Sequence, residues 1–189
     1  MKPNRLEAFS DGVFAILITI MVLELVPPKE TDMASLLAET PVFISYVFSF
    51  IYLGIYWNNH HHLFQATQKV NGKILWANLH LLFWLSLIPF TTAWIGRSYE
   101  ARLPAIAYGV VLLLCAIAYF LLQKIIIASH DGEFALRRVI GHDTKGKVSI
   151  ILYLAGIGTI FLTPWLGMAF YVVVAIMWLI PDKRIERGL

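Results

Sequence analysis

Residues 5–25 read RLEAFSDGVFAILITIMVLEL, and between Asp11 and Glu24 this stretch carries no charge. A helix crossing the roughly 30 Å hydrocarbon core of a bilayer needs about 20 mostly apolar residues. The stretch therefore predicts a membrane helix over about residues 6–26, ended by Pro27-Pro28, which lack amide donors and cannot continue the helical ladder. A cleaved signal peptide would not carry Asp11 before its apolar run, Glu24 within it and Pro-Pro-Lys-Glu after it, so the helix reads as retained.

Outward from this helix the same texture repeats. The 189 residues are 59% hydrophobic with a mean hydropathy of +0.71, against about 45 to 50% for soluble domains. Further apolar stretches fall at about 41–64, 76–95, 104–127, 148–162 and 165–180. The expectation is an all-α, polytopic membrane protein, a single domain over residues 1–189 with about six transmembrane helices. Residues 148–162 are short for a span, which leaves open a re-entrant final hairpin and five or four crossings. Lys29 to Thr40 reads as a short polar loop. Residues 129–147, with Asp131-Gly132, Arg137-Arg138 and Lys145-Gly146-Lys147, form the longest polar segment and have room for a short interfacial helix. The lone Cys115 lies in an apolar run, where it reads as a small packing residue.

Charge supplies an orientation. With both termini cytoplasmic, only Lys29, Arg97 and Arg102 of the 15 Lys and Arg fall in outside loops, the asymmetry the positive-inside rule describes. The net charge of +3 is thus an expression of topology and not of nucleic-acid binding. Glu24, Glu30, Asp32 and Glu39 either concentrate cations at an outer mouth or form a solvated face, and the solvated face is the simpler account.

Ionisable groups at membrane depth are costly and usually face a helix interface or an aqueous path. Here they gather at one level: Arg5 and Asp11 on the first helix, Asn59, His60, His61 and His62 at the end of the second, Asn78 and His80 at the start of the third. One reading is an interhelical network in which Asp11 accepts from Arg5 and from histidine or asparagine donors; the other is solvation of each histidine at the membrane edge. Three consecutive histidines point about 100° apart on a helix and cannot converge on one metal ion. No nucleophile and base pair is recognisable, so neither an enzyme nor a cofactor is expected.

On the first helix Ile16, Thr19, Ile20 and Leu23 share a face at i, i+3, i+4, i+7 spacing, with Ala15 expected on the opposite side. Such a stripe usually packs into a core. Repeated around a symmetry axis it would instead line a narrow apolar neck of the kind that gates by dewetting.

The opening stretch, with Arg5, Phe9, Ser10 and Asp11, resembles the Arg-x-x-x-Phe-Ser-Asp signature of the endolysosomal potassium channel family, transmembrane protein 175, and its prokaryotic homologues. Residues 56–64, YWNNHHHLF, and Asn78 with residues 86–93, SLIPFTTA, agree with it; the last three helices agree only in hydropathy. The resemblance implies a six-helix subunit without a pore loop, a homotetramer, potassium ions as transient occupants, and a prokaryotic plasma membrane as location. It places the pore constriction at Ile16, Ile20 and Leu23, a selectivity hydroxyl at Thr19, and an interhelical polar network at Arg5, Phe9, Ser10, Asp11, His60, His61 and Asn78. His62 stands where many members are expected to carry Arg. The rival reading is a proton-coupled cation transporter or proton-conducting protein, in which Asp11, Glu24 and the histidines titrate; inverted repeats and matching midplane breaks, its usual marks, are not legible.

Overall fold

The computed structural model describes residues 3–130 and 144–179. The described residues are helical: α1 (Asn4–Val22), α2 (Met33–Ala38), α3 (Thr40–Gln65), α4 (Gly72–Leu85), α5 (Ile88–Arg97), α6 (Arg102–Ala128), α7 (Thr144–Thr159) and α8 (Pro164–Leu179). Among the described residues three segments are long and apolar enough to cross a membrane: α3, α4 with α5 as one run from Gly72 to Arg97, and α6. α8 is a shorter apolar helix of 16 residues. α1 has 19 residues and carries Arg5, Glu7 and Asp11 in its first half.

Local chemistry sets the boundaries. α1 ends at Val22, before the two prolines, in turns that join the Leu23 amide to the Ile20 carbonyl (3.0 Å) and the Glu24 amide to the Met21 carbonyl (3.2 Å). The loop expected at Lys29 to Thr40 contains α2, because Asp32 caps it by accepting from the Ser35 amide at 2.8 Å. Hydrogen bonds from Ser35 hold the Asp32 carboxyl below its ordinary value. Asn71 caps α4 in the same way through the Ile74 amide (3.0 Å).

The helix expected over 76–95 is a broken one. Pro89 in the first turn of α5 has no amide for the Leu85 carbonyl, and Ser86 and Leu87 form a turn there. Hydroxyls work around the break: Ser86 donates to the Phe83 carbonyl at 2.7 Å and Thr92 to the Ile88 carbonyl at 2.7 Å. The interfacial helix expected within 129–147 falls largely on residues 131–143, outside the described residues.

α1 leans on α3, with smaller contacts to α5 and α4; α4, α5 and α7 pack on α6; α7 and α8 make a hairpin. Lipid tails are as apolar as the core, so helix association in a membrane rests on close packing and on polar contacts, not on a hydrophobic gain. The hairpin shows this directly: a methyl added at Gly167 would press on the Gly156 carbonyl and Ile160, and one at Gly109 of α6 would run into the Tyr171 hydroxyl. Around these glycines Tyr52, Tyr108, Tyr153 and Tyr171 are buried. Their hydroxyls find partners inside: Tyr108 pairs with Ser49 at 2.8 Å, Tyr153 donates to Tyr52 at 3.3 Å, and Tyr52 donates to the Tyr171 carbonyl.

Candidate functional site

α1 has two unlike faces. Leu6, Ser10, Phe14, Leu17 and Met21, at spacings of four and three, are buried against the subunit. The stripe of Ile16 (57% exposed), Thr19, Ile20 and Leu23 (75% exposed) is left open by the described residues. Ala15 is exposed as well, because it lies only about 40° around the helix from Thr19. It therefore belongs to the open side and not to the opposite one. Thr19 donates its hydroxyl back to the Ala15 and Ile16 carbonyls, both at 3.0 Å, which keeps the helix satisfied and leaves the oxygen lone pairs free.

The packed face is anchored by a hydrogen-bonded chain across three helices. Asn78 of α4 donates its amide to the Ser10 hydroxyl at 2.9 Å, and Ser10 donates to the Leu6 carbonyl at 2.9 Å. His60 of α3 meets the Asn78 carbonyl oxygen through Nε2 at 2.8 Å. Since the Asn78 amide nitrogen is committed to Ser10, the network assigns the His60 proton to Nε2. His60 Nδ1 is then a buried acceptor with no partner among the described residues. The ring is held between Phe64, stacked at 4.5 Å, and the edge of Phe14 at 5.6 Å.

Beside it runs a second, more exposed pair of joints between α1 and α3. Glu7 accepts from His61 Nδ1 at 2.8 Å, Gln65 supplies the other ring nitrogen at 2.7 Å, and Asp11 accepts from Trp57 Nε1 at 3.0 Å. Asp11 does not pair with Arg5 or with a histidine or asparagine as expected, because Trp57, one turn from His61 and stacked on it, reaches the carboxylate first. Glu7, Trp57 and Gln65 escaped the sequence reading, although the signal was present: 7 and 11 on one helix and 57, 61 and 65 on its antiparallel neighbour share the i, i+4 interval.

Ser10, His60 and Asn78 are thus joined, Asp11 and His61 lie beside them in separate contacts, and two expected members stay out. Arg5 is exposed, with no side-chain hydrogen bond or ion pair among the described residues, and Phe9 is 53% exposed on the open side of α1. His80 accepts from Trp84 on its own helix, at 2.9 Å. His62 keeps a buried Nδ1 without a partner among the described residues. At the far end of α1, Glu24 pairs with Arg97 at 3.1 Å. Among the described residues no group of three His, Cys, Asp or Glu is placed to hold a metal ion.

Residues 5–89 match the family described as the endosomal/lysosomal potassium channel TMEM175. A potassium channel of Chryseobacterium is 56% identical over 100% of this chain and 98% of its own length. The chain belongs to the TMEM175 family. A potassium channel of Chamaesiphon minutus is 30% identical over 93% of this chain and 92% of its own length. The crystal structure of a lysosomal potassium-selective channel TMEM175 homologue from the same organism superposes with a TM-score of 0.85 at 29% identity, covering 95% of this chain and 97% of that one. An endosomal/lysosomal proton channel TMEM175 of Rattus norvegicus is 33% identical over 64% of this chain but only 26% of its own length. TMEM175 proteins are cation channels and not enzymes, and the apolar helices make this member an integral membrane protein. The matched residues 5–89 include the open stripe and the three-helix chain, whereas α6 to α8 lie beyond them.

Proposed function

We propose that four copies of this chain surround a common axis with their α1 helices innermost and conduct potassium passively, each copy a single domain spanning the membrane six times with both termini in the cytoplasm of a prokaryotic cell. The observation that carries this is the open stripe of α1. Lipid alone would cover an apolar face 57% exposed at Ile16 and 75% exposed at Leu23, but in a chain of this family the same face can meet both a neighbouring copy and a pore. In a closed ring one face serves both needs, the neighbouring subunits at its flanks and the axis at its centre. Ile16, Ile20 and Leu23 then form stacked apolar rings, and the Thr19 hydroxyls are the nearest oxygen ligands for a partly dehydrated ion. Potassium is favoured modestly, since no carbonyl filter replaces the hydration shell. The Ser10, His60 and Asn78 chain holds α1 in place from behind. Arg5 and Phe9, outside the intrasubunit network, are free to complete it across subunits. The potassium channels of Chryseobacterium and Chamaesiphon support this reading at nearly full length.

A proton-coupled transporter or proton-conducting protein is the second reading, favoured by the mammalian relatives called proton channels and by the partly exposed pair of His61 and Glu7, 36% and 20% accessible. Potassium flux into liposomes under a potassium gradient, with a proton ionophore carrying counter-charge, separates the two. Ionophore-dependent potassium flux exceeding sodium flux is expected. A flux that needs a proton gradient and is electrically silent would install the transporter. Ile16→Asn is expected to raise conductance several-fold and blur selectivity, since the apolar barrier to wetting is removed. Ile18→Thr, on the far side of α1 and packed against the core, should do neither. Equal effects from both would take α1 out of the pore.

A further inference from the structure

At the end of the bundle away from the Ser10, His60 and Asn78 chain, α3, the turn between α5 and α6, and the start of α8 enclose an open groove of about 720 Å³. Its floor is apolar, with Ile44, Phe48, Met168 and Val172, and its rim is not: Tyr99, Glu100 and Trp165 stand there. None of these residues has a part in the site described above.

Depth and charge together define the occupant. The floor runs along α3, a helix long and apolar enough to cross the bilayer, so it lies at hydrocarbon depth. The rim lies where α5 ends and α6 begins, at the end of two such segments, and the Tyr99 and Trp165 rings, 5.8 Å apart, are the residues that concentrate at the membrane-water boundary. A molecule filling the groove therefore has its tail among Ile44, Phe48 and Val172 and its head at the rim. The head meets an exposed carboxylate, Glu100, which has no ion-pair partner among the described residues, and two aromatic faces. No basic side chain lines the groove. A carboxylate beside aromatic faces favours a cation and opposes an anion.

We infer that the groove is a binding site for a phospholipid with an ammonium headgroup, of the phosphatidylethanolamine type, seated with one acyl chain against α3 and α8 and its ammonium at Glu100, Tyr99 and Trp165. The site is independent of how the pore conducts.

The test is native mass spectrometry of the protein released from nanodiscs of phosphatidylethanolamine and phosphatidylglycerol in equal amounts. Retention of the ethanolamine lipid is expected to exceed that of the glycerol lipid by about five-fold, the scale of one exposed ion pair with a cation–π contact. Glu100→Gln, at an exposed position, should bring the ratio near one with thermal stability unchanged, and Ala169→Trp, which fills the groove, should abolish retention of both. Equal retention by the unaltered protein, or an ethanolamine preference that survives Glu100→Gln, would overturn the assignment. So would spontaneous crosslinking between copies of an Ala169→Cys variant, which would make a second subunit the occupant.

Discussion

The two ends of the helical order are held together by different chemistry. α1, α3 and α4 meet through directional polar contacts at one level, Asn78 to Ser10, His60 to Asn78 and His61 to Glu7. α6, α7 and α8 meet through absent side chains, at Gly109, Gly156 and Gly167, with tyrosine rings filling the space so released. Polar contacts fix orientation at modest net gain, because a membrane-embedded donor finds some partner in the unfolded state too. Shape contacts tolerate no added atom. The first group is therefore suited to holding α1 at a set angle, and the second to a rigid support behind it.

The comparison is broken most severely at Gly109. Gly109→Ala places a methyl on the Tyr171 hydroxyl, whose ring is buried among Tyr108 and Tyr153 and cannot turn aside; a loss of about 3 kcal/mol, the upper range for overpacking, is expected in thermal or denaturant unfolding in detergent. A loss below 1 kcal/mol would show that the support yields. Asn78→Ala should cost about 2 kcal/mol, since His60 is left buried with neither ring nitrogen partnered. The sharper version adds His60→Phe, which removes the stranded imidazole; the double variant should be more stable than Asn78→Ala alone, and simple additivity would deny the coupling. The smallest effect belongs to Arg97→Ala. Its pair with Glu24 is exposed, 58% and 40% on the two side chains, so less than about 1 kcal/mol is expected, shrinking further in high salt.

Much of this was legible in the chain itself. Apolar runs, proline stops and the gathering of Asn and His near Asp11 placed the helices and marked the level of the polar contacts, because the cost of a charge or an open backbone in hydrocarbon acts on local sequence. The break at Ser86 and Leu87 was less visible, since Pro89 is compatible with a continuous apolar run and only the lost Leu85 bond and the Leu87 amide turning back to the Trp84 carbonyl reveal the turn. Asp32 as a cap for α2 was passed over because a six-residue helix has too little periodicity to announce itself.

Partner choice was another matter. The sequence by itself determined that this is a helical membrane protein, which of its residues carry the family signature, and that Ile16, Thr19, Ile20 and Leu23 share one face. Only the tertiary structure decided that this face is open while Phe14 and Leu17 are packed, that Asp11 goes to Trp57, and that Glu7 rather than another acid reaches His61. The reason is physical: helical periodicity fixes which residues share a side, but which side is covered, and which of several donors arrives first, depends on the rotation and offset of a neighbouring helix that is distant in the chain.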